Sequence, residues 1–224
     1  MSTTAEKPRS GRRRVRWLAG VIALVAVAAA YACYPRQADL TSFDPEAMAR
    51  LETLMWRHYY EQRYVALFRD LYDVSRREYR FSPLDSVRIA VAAADAAKTF
   101  QPSTSRDEAE AALPSLVTYF RILSQGAKVP VDIEDAARTE LAWWQARREA
   151  ATPEDCGLII ARVSTLVYGI DGEDVRRAGV IRAQAMAYRD ARGKDITEAD
   201  WAAISDRLGS AYGLLKKALW SQAR

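Results

Sequence analysis

A helix-start pattern recurs seven times between residues 44 and 200 of this chain. Each instance pairs a Ser, Thr or Asp, whose side-chain oxygen can accept from the N–H groups of a first helical turn, with a Pro or an acid in that turn. The seven starts are Asp44-Pro45-Glu46, Ser82-Pro83-Leu84-Asp85, Ser105 with Glu108, Asp132 with Asp135, Thr152-Pro153-Glu154-Asp155, Asp171 with Asp174, and Thr197 with Asp200. They predict seven helices, over residues 45–79, 83–100, 106–125, 133–150, 153–169, 172–192 and 198–222.

The fold class that follows is all-α, with one globular bundle of about seven helices in residues 45–224. The helices differ in length and in the positions of their aromatic residues, which argues against a helical repeat array. Large apolar and aromatic side chains cover several faces of the first predicted helix, so we expect it at the centre of the bundle. Pro114 predicts a kink in the third helix, or a break that leaves a short helix and a longer one over 115–125.

Residues 17–34, with the sequence WLAGVIALVAVAAAYACY, contain no charged residue and no Pro. Eighteen helical residues extend about 27 Å, close to the roughly 30 Å hydrocarbon core of a bilayer. Aromatic residues lie at both ends, where membrane interfaces favour them, and Pro35 is expected to end the helix. We therefore predict a transmembrane signal anchor over 17–34 and a polar linker over 35–44. The anchor residues are Trp17, Leu18, Ile22, Leu24, Tyr31 and Tyr34.

Two other interpretations of this segment stay open. The Ala-rich stretch offers A-x-A cleavage sites at 28–30 and 30–32, so the segment is also compatible with a cleaved signal peptide. The second alternative is an exported lipoprotein acylated at Cys33, although Ala30 and Tyr31 match the usual lipoprotein signal poorly. All three interpretations export the rest of the chain.

Residues 1–16 form a basic arm with six Lys or Arg side chains and one acid. Short basic flanks stay in the cytoplasm, which predicts a single-pass protein of the inner membrane with a cytoplasmic N-terminus and a periplasmic or extracytoplasmic domain. The chain has 33 basic and 29 acidic side chains in total, so residues 17–224 hold 27 and 28 and are nearly neutral. We therefore expect no nucleic-acid partner. The abundance of Arg and Ala is typical of a bacterial, GC-rich genome.

The sequence contains no catalytic, metal-binding or cofactor motif that we can identify, and we predict none. Its two cysteines, Cys33 and Cys156, do not provide a disulfide framework or a thiolate zinc site. Its one histidine, His58, excludes bis-His haem ligation and the paired Glu-x-x-His motifs of di-iron bundles. We interpret both His58 and Cys156 as structural residues.

The segment RTELAWWQARRE places Glu140 one helical turn before Trp143 and Trp144. Adjacent residues diverge by about 100° on a helix, so we expect one indole in the core and the other against a neighbouring helix or a partner. A buried Glu140 needs a basic partner such as Arg57, Arg63, Arg121 or Arg147. The simplest interpretation is an ion pair that fixes the helix register. The alternative is a ligand pocket made by Glu140, Arg57, Tyr60 and Trp143.

The chain ends in LKKALWSQAR, where Lys216, Lys217 and Trp220 join Trp144 as candidates for contact with a partner or with lipid headgroups. A tethered helical domain without a catalytic motif favours a non-catalytic interaction module. We expect an accessory, scaffold or assembly subunit with a protein partner in the membrane or periplasm. The alternative is a small-molecule-binding or enzymatic domain. A closed pocket with converging polar groups favours the alternative, and an exposed aromatic patch favours the module.

Overall fold

The structure is a computed structural model that describes residues 10–34 and 36–222, with side chains from residue 16 onward. The chain divides into two compact units, Met1–Pro35 and Arg36–Arg224. Most of the predicted basic arm, and Pro35 as the predicted helix stop, lie outside the described residues. Throughout the part of the chain that the structure describes, the secondary structure is helical and no strand occurs, which confirms the all-α prediction.

The first unit consists of helix α1, Ser10–Cys33. Its segment Arg16–Cys33 is long and apolar enough to cross a membrane, judged by length and composition. Each of the six predicted anchor side chains is exposed: Trp17, Leu18, Ile22, Leu24, Tyr31 and Tyr34. A signal sequence near the N-terminus has the same properties, so the helix agrees with the anchor and with both alternatives.

Over residues 36–222, the described part of the second unit, there are nine further α-helices. Their bounds are α2 Pro45–Tyr60, α3 Tyr64–Asp73, α4 Pro83–Phe100, α5 Arg106–Ala109, α6 Leu113–Leu123, α7 Ile133–Arg148, α8 Pro153–Tyr168, α9 Glu173–Arg192 and α10 Glu198–Gln222. Pro114 falls in the first turn of α6, so the predicted break is confirmed. A π-helical turn, Val74–Glu78, follows α3.

Six of the seven predicted helix starts are confirmed, because the named side chain accepts from a backbone N–H three residues on. The prediction for Asp171 is wrong. Helix α9 starts from Gly172, which caps it without a side-chain hydrogen bond at a φ of 140°. That backbone conformation is open to Gly and costly for Asp, so the start moves by one residue. The Asp171 carboxylate pairs instead with Arg176.

The prediction of one continuous helix over 45–79 is wrong, because the chain turns between α2 and α3. Gln62 adopts a φ of 56°, and the Arg63 amide donates to the His58 carbonyl at 2.8 Å. The His58 ring, at 2.6 Å from the Asp70 carboxylate, joins the two helices across this turn. Glu61, Gln62 and Arg63 all favour helices, so tertiary packing overrides local propensity here.

Eight of these helices form a closed ring. In the order α2, α3, α4, α6, α7, α8, α9 and α10, each packs against the next, and α10 returns to pack against α2. The expectation of a central helix is therefore wrong: the aromatic side chains of α2 face a space that all eight helices enclose. A helix with apolar residues on several faces suits such a wall, because it contacts two neighbours and the interior.

The segment 36–43 belongs to the second unit and is not a free linker. Leu40 and Phe43 are each only 1% exposed, and the Leu40 amide donates to the Gly126 carbonyl at 3.0 Å. Lys216 of α10 donates to the carbonyls of Thr41 and Phe43 at 2.6 and 2.8 Å. Leu40 and Phe43 stand singly among polar residues in the sequence, so the segment lacks the periodicity that marks a core element.

Candidate functional site

The ring of helices encloses a cavity of about 350 Å³. Each of its eight helices contributes to the wall, from Met48 on α2 to Leu215 on α10. Ligand pockets in proteins typically have volumes of about 300–1,000 Å³ and mostly apolar walls with a few polar groups. By size and composition the cavity falls in that class.

The wall is rich in aromatic side chains, which come from six of the helices and, in Tyr79, from the residue after the π-helical turn. Those on the wall are Trp56, Tyr59, Tyr60, Tyr79, Phe100, Tyr119, Phe120, Trp143, Trp144, Tyr168 and Tyr212. Trp143 and Trp144 meet edge to face with their ring centroids 6.1 Å apart, and Phe100 packs on Trp144 at 5.1 Å. As expected, Trp143 is buried in the core and Trp144 packs on Phe100 of a different helix, but both indoles also reach one cavity despite the divergence of their Cα–Cβ directions.

A buried charge network lies deep in the wall. Glu52 is 2% exposed, and its Oε1 accepts from Arg182 Nε at 2.7 Å and Nη2 at 2.5 Å. Its Oε2 accepts from the Tyr212 hydroxyl at 2.6 Å. Burial disfavours the charged guanidinium, but the adjacent Glu52 carboxylate outweighs this and raises the pKa of Arg182. The network links α2, α9 and α10, and it compensates both charges.

Glu140 of α7 presents a second carboxylate to the same cavity. Its Oε1 accepts from Trp144 Nε1 at 2.9 Å. Burial raises the pKa of Glu140, against the opposing influence of the Arg182 charge. Trp143 Nε1 is close enough to help hold that pKa down, yet it has no hydrogen-bond partner of acceptable geometry among the described residues. No basic side chain in the described part of the chain forms an ion pair with Glu140 within 4.0 Å.

A third group of polar side chains lies nearer the surface. Arg147 donates to both carboxylate oxygens of Asp190, at 2.9 and 2.7 Å, and also to the Tyr60 hydroxyl. The Arg189 guanidinium lies 3.0 Å from the centroid of the Tyr60 ring. Arg147 and Asp190 retain 31% and 39% side-chain exposure, against 2% for Glu52. The polar groups of the wall therefore run from a half-exposed rim to a buried base.

The hydroxyls of four lining tyrosines complete the interior polar groups. Burial raises the pKa of the Tyr79, Tyr119, Tyr168 and Tyr212 hydroxyls, so they are neutral donors and acceptors at physiological pH. The Tyr79 and Tyr168 hydroxyls lie 3.4 Å apart. The cavity thus combines an apolar aromatic surface with a small number of converging polar atoms.

Comparisons with models of protein families, with characterised proteins and with solved structures found no match to this chain. Function is therefore inferred from the chemistry of the cavity alone. Within the described residues, no group of three or more His, Cys, Asp or Glu side chains is placed to hold a metal ion. Cys156 is buried, and burial raises the pKa of its thiol.

Three of the four residues predicted to form a pocket, Glu140, Tyr60 and Trp143, line the cavity, but Arg57 does not. Arg57 lies on the outer side of α2, where it pairs with Glu61 at 2.9 Å and with Glu198 of α10 at 2.7 Å. The cavity face of α2 carries residues 48, 52, 55, 56, 59 and 60, and residue 57 is rotated away from it. Sequence reasoning missed Arg182, although its position between Ile181 and Ala183 in an apolar stretch signals a buried charge.

The four predicted interaction residues have different environments. Trp144 faces the cavity and not an external partner. Lys216 is held by the two carbonyls of segment 36–43 described above, and Lys217 pairs with Asp174 at 2.8 Å. Trp220 is 66% exposed. Lys216 and Lys217 thus have intramolecular partners, although the Lys217 side chain is as exposed as that of Trp220.

Proposed function

We propose that the second unit is a small-molecule-binding domain and that helix α1 tethers it to a membrane. The observation that carries the proposal is the cavity of about 350 Å³, in which an aromatic wall surrounds the Glu140 carboxylate and the Glu52 and Arg182 pair. Burying these polar groups costs stability unless they are compensated. A ligand-binding role would explain why these polar groups are retained in the interior despite that cost.

The surface of the domain offers less support for the alternative of an interaction module. Its large exposed apolar side chains are distributed over five helices: Leu54, Tyr64, Val65, Val87, Val91, Leu158 and Trp220. Scattered surface apolar residues are normal in soluble domains and do not mark an interface. Trp144, one of the four predicted interaction residues, faces the cavity. Binding inside the ring is therefore the better supported function.

The membrane location is part of the proposal. The composition of α1 and the basic arm before it support a single pass through the inner membrane, with the binding domain outside the cytoplasm. Mass spectrometry of the N-terminal peptide from membrane fractions tests this. An intact peptide containing Trp17 supports the anchor, whereas a mature protein that begins at Tyr31 or Cys33 contradicts it and supports cleavage or lipidation.

Binding is tested by filling the cavity. Ser164 of α8 lines the wall, and Ser164→Phe introduces a ring into the cavity. Leu158→Phe is the matched control, because Leu158 lies on the same helix and is 51% exposed. The full-length proteins are purified from membranes in mild detergent, denatured, and their released small molecules are analysed by mass spectrometry.

We expect a compound that co-purifies in near-stoichiometric amount with the wild type and with Leu158→Phe, and that is lost from Ser164→Phe. Circular dichroism and thermal unfolding verify that both variants remain folded. Identical small-molecule profiles from three folded proteins would contradict the proposal.

A further inference from the structure

The charged side chains on the cavity wall are not all compensated. Glu52 is paired with Arg182, and Arg147 is paired with Asp190, whose Oδ1 also lies 3.4 Å from Arg189 Nη1. Glu140 is the remaining charged lining residue, and within the described chain it lacks an ion-pair partner at 4.0 Å or less. The protein therefore brings into the cavity one carboxyl group that no described basic side chain contacts within 4.0 Å, while Arg147 and Arg189 share Asp190.

The orientation of Glu140 leaves it available to a ligand. Trp144 Nε1 fixes Oε1 at 2.9 Å, and Oε2 accepts no hydrogen bond from the described residues. Glu140 lines the cavity, so this second oxygen is available to a donor there. The carboxyl group is thus held in a defined position with one oxygen open to a donor.

The surroundings of Glu140 suit a cationic donor. The faces of Trp, Tyr and Phe rings attract ammonium and guanidinium groups within about 6 Å. Rings of the wall already hold four such contacts. Arg182 lies 5.7 Å from the Trp143 ring, Arg148 lies 3.7 Å from the Phe100 ring, and Arg147 and Arg189 lie 5.8 and 3.0 Å from the Tyr60 ring. An ammonium group next to Glu140 would lie beside Trp143 and Trp144, and it would give the carboxylate an ion-pair partner.

We propose that the ligand of the cavity carries a protonated amine that pairs with Glu140, attached to an apolar or aromatic body that packs on the wall. This inference rests on the proposed binding function and adds the chemical class of the ligand. An anionic group is disfavoured next to Glu140, because that carboxylate would repel it. A neutral ligand would leave Glu140 unpaired.

Three probes with one carbon skeleton separate these ligand classes: 2-phenylethylamine, 2-phenylethanol and phenylacetate. They present an ammonium, a hydroxyl and a carboxylate on the same phenyl body. Binding is measured by isothermal titration calorimetry and by quenching of Trp fluorescence, with full-length protein in mild detergent at neutral pH. The variants are Glu140→Gln and the control Glu134→Gln, an exposed carboxylate on the same helix.

We expect the wild type to bind the amine at least about tenfold more tightly than the alcohol, and the acid most weakly, since a charged hydrogen bond in a buried site outweighs a neutral one. In Glu140→Gln the amine should fall to the affinity of the alcohol, while the alcohol stays unchanged. Glu134→Gln should behave as the wild type.

Equal affinities of the wild type for amine and alcohol overturn the inference about ligand class and leave the binding function standing. A preference for the amine that persists in Glu140→Gln has the same effect. If the wild type and Ser164→Phe respond identically to all three probes, the binding function itself fails with the inference. Because the wild-type comparison is decisive alone, the test does not depend on how well Glu140→Gln folds.

Discussion

Gly179 on α9 and Gly157 on α8 bring the backbones of two wall helices into direct contact. A Cβ built on Gly179 would overlap the carbonyl oxygen of Gly157 and lie 2.9 Å from the amide nitrogen of Ala161. Both atoms belong to the backbone of α8, so no side-chain rotation relieves the overlap. In contrast, a Cβ on Gly213 of α10 meets no heavy atom within 4 Å. Gly179→Ala and Gly213→Ala therefore add the same methyl group, the first at a crowded position and the second at an open one.

The expected magnitudes follow from two opposing terms. Replacing Gly by Ala within a helix stabilises it by about 0.8–1.0 kcal/mol. Overpacking costs about 1–3 kcal/mol. The Gly179 methyl would clash with backbone atoms of α8, so its cost belongs at the upper end of that range. We therefore expect Gly179→Ala to lower the free energy of unfolding by about 2 kcal/mol, and Gly213→Ala to raise it by nearly 1 kcal/mol. In a domain of this size these changes shift the Tm by roughly −6 °C and +3 °C.

The assay is thermal unfolding followed by circular dichroism, with chemical denaturation to obtain the free energies. The decisive result is the sign of each shift. If Gly179→Ala raises the Tm as Gly213→Ala does, helices α8 and α9 are not in backbone contact and the geometry described for this side of the cavity is wrong. A drop for both variants would instead show that helix propensity does not limit stability in α10.

Three further predictions concern the polar groups. Glu52→Gln leaves the Arg182 charge buried without a counterion and should lower the free energy of unfolding by about 3–5 kcal/mol in denaturant titrations; a change below about 1 kcal/mol would show that the pair is not desolvated. The pKa of Glu140 in the folded protein is raised above the ordinary 4.5, so its carboxyl is neutral in both states at low pH and the unfolded state ionises first as the pH rises. Wild-type stability should therefore decline relative to Glu140→Gln as the pH increases from about 4.5 through the raised pKa. Thermal melts at several pH values would detect this as a difference in Tm that changes with pH, and a difference that stays constant would contradict it. Thr197→Ala removes a hydroxyl that caps α10 by accepting from the Asp200 amide at 3.2 Å, and should cost about 1 kcal/mol of unfolding free energy, whereas an unchanged Tm would show that this cap is dispensable.

Local signals in the sequence predict the helix starts well, because capping depends on atoms three residues apart. The pairing of Ser82 with Asp85 or of Thr152 with Asp155 is visible in the sequence and is present in the structure. The turn at Gln62 has no such signal. Its residues favour a helix, and the chain turns there because α3 completes the wall of the cavity.

Closure of the ring, and with it most of the candidate site, depends on contacts between residues far apart in the chain. Periodicity shows that α2 has apolar residues on several faces but does not distinguish a buried centre from a wall around a space. The Glu140 site was predictable in part, since a carboxyl beside two tryptophans is unusual in a helix. Its proximity to Arg182 was not predictable, because α7 and α9 are separated in the sequence and come together only in the folded domain.

The Glu52 network also has a consequence for biosynthesis. Its carboxylate is provided by the second helix of the chain and one of its donors by the last, since Tyr212 follows Glu52 by 160 residues. Contacts so distant in sequence form late, after much loop-closure entropy has been lost. A chain still emerging from a ribosome or a translocation channel therefore has no finished cavity. On the proposed binding function, a ligand would stabilise only molecules in which α10 has already been made and docked.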